Sequence, residues 1–155
     1  MVEMVRCLRV ARATAMKART QAANALRALL VTAPVELREQ LRDLDPGKLA
    51  ATAARLRPGA IVTPTAATKL ALGTVAERQL ALTAELTTLD AELDRLTARA
   101  APALRELCGV GAEVAGALLV TAGDDPARLR SDAAFSMLCG PHRSRPPRAR
   151  PCGIA

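Results

Sequence analysis

The first thirty residues repeat apolar side chains with the period of an α-helix. One stripe of small and aliphatic residues recurs at steps of three and four, formed by Leu8, Ala11, Ala15, Ala18, Ala22, Leu26 and Leu29. Most cations of this segment lie off the stripe, and Glu3 is its only acid. The pattern predicts one long amphipathic helix from Val2 to Val31 with a strongly basic polar face.

A second long helix is predicted from Pro64 to about Ala100, with Thr63 as its N-cap. Its apolar positions are Val75, Leu82, Leu86, Leu89, Leu93 and Leu96. From Leu82 onward the steps alternate between four and three residues, which is typical of a coiled-coil seam. Its partner is either the first helix or another subunit. The acids Glu85, Asp90, Glu92 and Asp94 lie on other faces, and we interpret them as solvent-exposed.

Two short helices are predicted between the long ones. Pro34 can begin the first, which runs to Leu44, and Asp45 can cap the second, which runs to Leu56. The resulting division is a basic helix with two short helices (1–57), a linker (58–63), a coiled-coil helix (64–100), a terminal helical module (101–140) and a tail (141–155).

The terminal module contains the most informative stretch, LRELCGVGAEVAGALLVTAG. Two apolar helical segments flank Gly109-Val110-Gly111, as in a helix-hairpin-helix, and one glycine can take positive φ at little cost. The backbone N–H groups of Gly109, Val110, Gly111 and Ala112 are therefore candidates for binding a DNA phosphate at a helix N-terminus. The alternative is a tight corner between two packed helices, with Ala115 and Ala117 as small packing residues.

Charge favours a nucleic-acid partner. The 155 residues carry 22 Lys and Arg against 15 Asp and Glu, a formal net charge of +7, with a pI of about 10.2. Four arginines of the first helix, Arg9, Arg12, Arg19 and Arg27, are the candidates for additional phosphate contacts. The alternative is a solvated basic face on a helix that packs elsewhere.

Alanine and leucine supply most apolar content, and Phe135 is the only aromatic residue, which favours extended packed helices over a compact globule.

The C-terminal end changes character. Ser131 can cap a last short helix that carries Phe135, Met137 and Leu138, and Phe135 is expected to fill the core of the module. The stretch PHRSRPPRARPCGIA from Pro141 onward has no apolar periodicity. It is either a disordered basic arm or sequence from a shifted reading frame, and we favour the second.

Several function classes lose support. The four cysteines are scattered and His142 is the only histidine, so neither a zinc site nor a Ser-His arrangement is expected. No acid cluster indicates a two-metal site, and no GxxxxGK[ST] loop is present. The sequence shows no signal peptide and no apolar run long enough for a membrane span, which makes the cytoplasm the expected compartment.

Residues 12–140 resemble actinobacterial transposases of the bridge-RNA-guided insertion-sequence family. Three stretches follow the family's order. The inter-domain helical region of the family resembles ATAMKARTQAANALRALLVTAPVELREQL, and its coiled coil resembles RLRPGAIVTPTAATKLALGTVAERQLALTAELTTLDAELDRL. The start of its C-terminal transposase domain resembles APALRELCGVGAEVAGALLVTAGDDPARLRSDAAFSMLCG. The resemblance implies DNA transposition by strand cleavage and exchange with a guide RNA.

The departures from the family are as informative. Such transposases have an N-terminal RuvC-like domain with four acidic residues, for which Mg is the expected cofactor, and a serine nucleophile in a segment like V-A-P-x-P-x-S-S-G-K. Residues 141–155 do not match that segment, and Ser144 lacks its neighbours. The resemblance therefore implies a fragment without catalytic or metal-binding residues, which keeps DNA binding, contact with guide RNA and self-association through the coiled coil.

The sequence thus predicts an all-α protein, with an antiparallel coiled-coil arm and a small helix-hairpin-helix module, that acts as a DNA-binding transposase fragment. The alternative function is a helical oligomerisation protein that uses only its coiled coil. A third possibility, an active nuclease, predicts metal-dependent nicking of plasmid DNA, which we do not expect.

Overall fold

The computed structural model describes residues 1–123 and 130–139, and all regular structure in these residues is α-helical. The helices follow one another as α1 (Val2–Val31), α2 (Val35–Leu41), α3 (Pro46–Ala53), α4 (Pro64–Ala100), α5 (Pro102–Arg105), α6 (Ala112–Ala122) and α7 (Asp132–Cys139). The predicted all-α class is confirmed. The predicted loop at 124–126 and the tail at 141–155 lie outside the described residues, as do the side chains of Phe135 and Leu138.

The two long helices pack against each other in opposite directions. Near the start of α1, Val5 is buried with Leu93 and Leu96 from the end of α4. Near the end of α1, Leu26 shares a buried cluster with Leu72 from the first part of α4. Contacts at both ends fix an antiparallel pair within one chain. The partner of the α4 leucine seam is therefore the first helix.

The face that α1 turns to α4 differs from the predicted stripe. Residues at steps of three and four from Val5 give the sequence Val5, Leu8, Arg12, Ala15, Arg19, Ala22 and Leu26, none of which is fully exposed. Ala11, which was expected on the stripe, is exposed, whereas Arg12 and Arg19 lie on the packed face. Arg6, Lys17 and Arg27 are exposed, in agreement with the prediction that most cations of α1 lie off the stripe. Arg12 and Arg19 are exceptions, because alanines on both sides of α1 make its apolar edge ambiguous.

The short helices close one end of the helical pair. Leu37 and Leu41 of α2, together with Leu49, Ala50 and Ala53 of α3, join the buried cluster around Leu26 and Leu72. Both short helices end three residues earlier than predicted. The amide of Leu44 donates to the Leu41 carbonyl and that of Leu56 to the Ala53 carbonyl, so tight turns rather than α-helix complete both segments.

Two of the three predicted N-cap side chains make the expected hydrogen bond. The Thr63 hydroxyl accepts a hydrogen bond of 3.2 Å from the amide of Ala66, which confirms it as the N-cap of α4. The Ser131 hydroxyl does the same for Ala134 at the start of α7. Asp45 occupies the N-cap of α3, but its side chain makes no capping bond there. Met137 of α7 is exposed.

α6 packs against the two long helices at the other end. Ala115 and Gly116 are its buried residues, and a side chain on Gly116 would meet Arg9 and Val5 of α1. The small residues in this helix therefore allow its backbone to approach α1 closely. Val120 and Ala112 pack against the cluster of Val5, Leu93 and Leu96.

The close approach at Gly116 can be tested by adding one methyl group. In Gly116→Ala, the new Cβ lies 3.1 Å from Cδ of Arg9 and 3.2 Å from a Cγ atom of Val5. Gly47→Ala is the matched control, because Gly47 is also helical and has open space around it. We expect Gly116→Ala to be about 1–2 kcal/mol less stable than Gly47→Ala, since overpacking offsets its gain in helix propensity. Urea unfolding followed by circular dichroism measures both. Equal free energies of unfolding would contradict the packing.

Candidate nucleic-acid interface

The glycine turn between α5 and α6 has the backbone that its sequence predicts. Gly109 takes a φ of 83°, in the left-handed region where a glycine is favoured. Gly111 is extended and serves as the N-cap of α6. The first helical bond of α6 runs from the Ala115 amide to the Gly111 carbonyl, at 2.9 Å. The amides of the first turn, including that of Ala112, therefore have no partner within the helix.

Two features of this turn limit its use as a phosphate site. The amide of Val110 donates to the Leu107 carbonyl at 3.1 Å, so it is already bonded, in contrast to its predicted role. Glu113 places a carboxylate in the first turn of α6, where negative charge suits the helix dipole. A phosphate would have to approach against that carboxylate. Gly109 and Gly111 are exposed.

The Glu113 carboxylate also binds two of the predicted DNA-binding arginines. Arg9 donates to one of its oxygens from Nε at 3.2 Å and from Nη2 at 2.9 Å. The Nη1 of Arg12 lies 3.5 Å from the other oxygen. The Nε of Arg12 donates to Asp90 of α4, and this hydrogen bond raises the pKa of the Arg12 guanidinium. Arg9 and Arg12 therefore join three helices rather than face solvent.

A third arginine, Arg105, contacts the glycine turn itself. Arg105 donates from Nη1 to the Val110 carbonyl at 3.1 Å and from Nη2 to the carboxylate of Asp94. Asp90 and Asp94 keep the solvent exposure that the sequence predicts, but both also form ion pairs. Each is an exposed acid that reaches a half-buried arginine on another helix. The signal in the sequence is their position beside the leucine seam, where charges commonly pair across helices.

The remaining predicted arginines are placed differently. Arg19 is half-buried on the packed face of α1, and its Nη2 lies 3.3 Å from the sulfur of Met16. Arg27 is exposed near the end of α1. It lines a groove of about 430 Å³ together with Arg38 and Arg42 from the α2 segment, two residues that sequence reasoning missed. The structure therefore separates the four predicted arginines and brings only Arg9 and Arg12 together.

Charge is unevenly distributed between the two ends of the helical pair. We define the hairpin end as residues 1–16 and 85–123, and the short-helix end as residues 17–84. The hairpin end carries six lysines and arginines against seven acids. The short-helix end carries ten against five. Within residues 1–123, the positive charge is therefore concentrated away from the glycine turn.

Ion pairing increases the difference in available positive charge between the two ends. At the hairpin end Arg6, Arg9, Arg12, Arg95 and Arg105 are each paired with a carboxylate. The Arg6 pair lowers the pKa of Glu3 to about 2, because the guanidinium donates hydrogen bonds to its carboxylate. Among described residues of the short-helix end, ion pairs involve only Arg42 and Lys48.

Metal binding has no support in the described part of the chain. Residues 1–123 and 130–139 contain no group of three or more His, Cys, Asp or Glu that could hold a metal ion. Asp90, Asp94 and Glu113 each bind an arginine instead. These residues do not fit the magnesium cofactor that the family resemblance implies for its RuvC-like domain.

Comparison with protein-family models, with curated proteins and with solved structures finds no match to this chain. Among the described residues, no helix has both the length and the apolar content that a bilayer crossing requires.

The role of Glu113 can be tested by removing its charge. Glu113→Gln takes away the carboxylate that binds Arg9 and Arg12, and we expect a loss of about 0.5–1 kcal/mol of folding free energy, typical of partly exposed pairs. Glu106→Gln, which removes an exposed acid of the same segment, is the control and should change stability little. Because salt screens such pairs, the difference should shrink in about 1 M NaCl. Equal stability of the two variants at low salt would contradict this role.

Proposed function

We propose that this chain is a nucleic-acid-binding part of a transposase that resembles the bridge-RNA-guided insertion-sequence family. Its family role is DNA transposition by strand cleavage and exchange, with a guide RNA, in the cytoplasm. The functions proposed for this chain itself are nucleic-acid binding and self-association. The observation that carries the proposal is the excess of cations left after internal ion pairing.

The excess of unpaired cations depends on which arginines form ion pairs in the folded chain. On α1, the ion pairs of the described residues involve Arg6, Arg9 and Arg12, and they leave out Lys17, Arg19 and Arg27. The whole chain keeps a formal net charge of +7. Unpaired surface cations bind the phosphate backbone by releasing its condensed counterions, and this requires no reading of base sequence.

The proposed parts correspond to the helices as follows. The antiparallel pair of α1 and α4 is the coiled-coil arm, and α5, the glycine turn and α6 are the helix-hairpin-helix module. In this proposal the amides of Gly111 and Ala112 add a minor phosphate contact beside Glu113. Chemical steps are assigned to no residue of this chain, and magnesium belongs to the RuvC-like domain of the family.

The alternative is a helical oligomerisation protein. Apolar side chains that remain exposed outside the seam favour it, among them Leu70, Leu80, Ile61 and Val62. Because α1 already fills the leucine seam, self-association through that seam requires exchange of helices between chains, whereas association through these exposed residues does not.

Salt titration separates the two functions. We expect the chain to bind a fluorescent duplex DNA at about 50 mM salt and to lose affinity steeply by about 200 mM, because several phosphates are neutralised. Fluorescence anisotropy gives the affinity, and sedimentation equilibrium gives the oligomeric state. Absence of binding at the lower salt, with a stable helical oligomer present, would favour the alternative and reject the proposal.

A further inference from the structure

A groove at the short-helix end is lined by three arginines. We call it the arginine groove and define it by Arg27, Arg38 and Arg42 above Leu30, Leu44 and Leu49. Three different segments form it: the end of α1, α2 with the residues that follow it, and the start of α3. Its position is therefore fixed by the buried cluster of Leu26, Leu37 and Leu41 underneath.

Two of the three arginines have no counterion among the residues that the structure describes. Arg42 lies 3.2 Å from a Glu39 oxygen and 3.4 Å from an Asp43 oxygen, so its charge is partly balanced. In residues 1–123 and 130–139, no ion pair involves Arg27 or Arg38. The lining residues of the groove include no acid, and guanidinium groups that share one concave surface complement a ligand with more than one negative charge.

Further cations lie at the short-helix end. Arg55 and Arg57 follow α3 and are exposed. Charge spread over several elements suits a long polyanion better than a small anion or a single acidic side chain, because each phosphate of a backbone can meet a different cation.

We propose that the arginine groove, rather than the glycine turn, is the principal contact of this chain with the phosphate backbone of duplex DNA. The inference rests on the proposed function and adds the location of the interface. Arg27 and Arg38 bind backbone phosphates in the groove, with Arg42 supporting them. Arg9 and Arg12 position α6 on the long helices and contribute little to binding.

The test removes two cations from each end of the molecule. Arg27→Gln with Arg38→Gln alters the groove, and Arg95→Gln with Arg99→Gln is the control, because it removes the same charge from exposed positions at the hairpin end. Circular dichroism first shows that both variants keep the helical content and melting temperature of the wild type. Affinity for a labelled DNA duplex is then measured as a function of salt.

The slope of log affinity against log salt is negative, and we expect the groove variant to reduce its magnitude by about 1.8, since each lost phosphate contact accounts for about 0.9. The control should leave the slope within about 0.5 of the wild type. Equal losses in both variants, or an unchanged slope in the groove variant, would overturn the groove while leaving the proposed function intact. Absence of wild-type binding at low salt would instead reject the proposed function.

A parallel titration with an RNA duplex of the same sequence checks the identity of the partner. We expect the groove variant to weaken DNA binding. A groove variant that weakens RNA binding alone would overturn the assignment to DNA, and displacement of DNA by polyglutamate at equal charge concentration would indicate an acidic protein segment instead.

Discussion

The rest of the molecule depends on the antiparallel packing of α1 on α4 within a single chain. The α1 side of this contact alternates small residues such as Ala15 and Ala22 with larger ones such as Leu26, while α4 contributes leucines such as Leu86 and Leu93. Small side chains on one helix allow the leucines of the other to lie close to its backbone, so the seam stays closed without aromatic side chains. The short helices α2 and α3 pack against one end of this pair, and α6 packs against the other end.

Apolar contacts of this kind do not by themselves fix how far one helix slides along the other. Leucine and alanine repeat along both helices, and shifting the pair by one heptad would still bury similar area. The ion pair between Arg12 and Asp90, together with the contact of Arg12 and Arg9 to Glu113, favours one alignment and places α6 at the same time. We infer that these arginines are kept for register and docking, which removes them from the surface that meets a polyanion.

Most of the fold follows from local signals in the sequence. The long helices begin and end where Thr63-Pro64, Pro34 and Ala101-Pro102 interrupt helical periodicity, and Gly109 supplies the positive φ of the terminal turn. The positions of the charged residues depend on tertiary contacts that local sequence does not reveal. Alanine is compatible with both the packed and the exposed side of a helix, so the alanine-rich α1 does not reveal that Arg12 lies at the seam. The carboxylate partner of Arg9 is 104 residues away, and the groove of Arg27 and Arg38 forms only when α2 folds back on α1.

The antiparallel packing of α1 on α4 within one chain is tested most directly by the distance between spin labels on the two helices. In a variant whose four native cysteines are serines, cysteine pairs at Ala13 with Ala91 and at Asn24 with Ala91 use exposed positions only. Arg12 pairs with Asp90 in the antiparallel arrangement, so pulsed electron paramagnetic resonance should give a short distance between labels at Ala13 and Ala91. Asn24 lies eleven residues farther along α1, so the distance from Asn24 to Ala91 should be up to roughly 16 Å longer. Both distances should persist when labelled chains are diluted with unlabelled ones. A shorter distance for the second pair, or loss of the signal on dilution, would contradict an antiparallel pair within one chain.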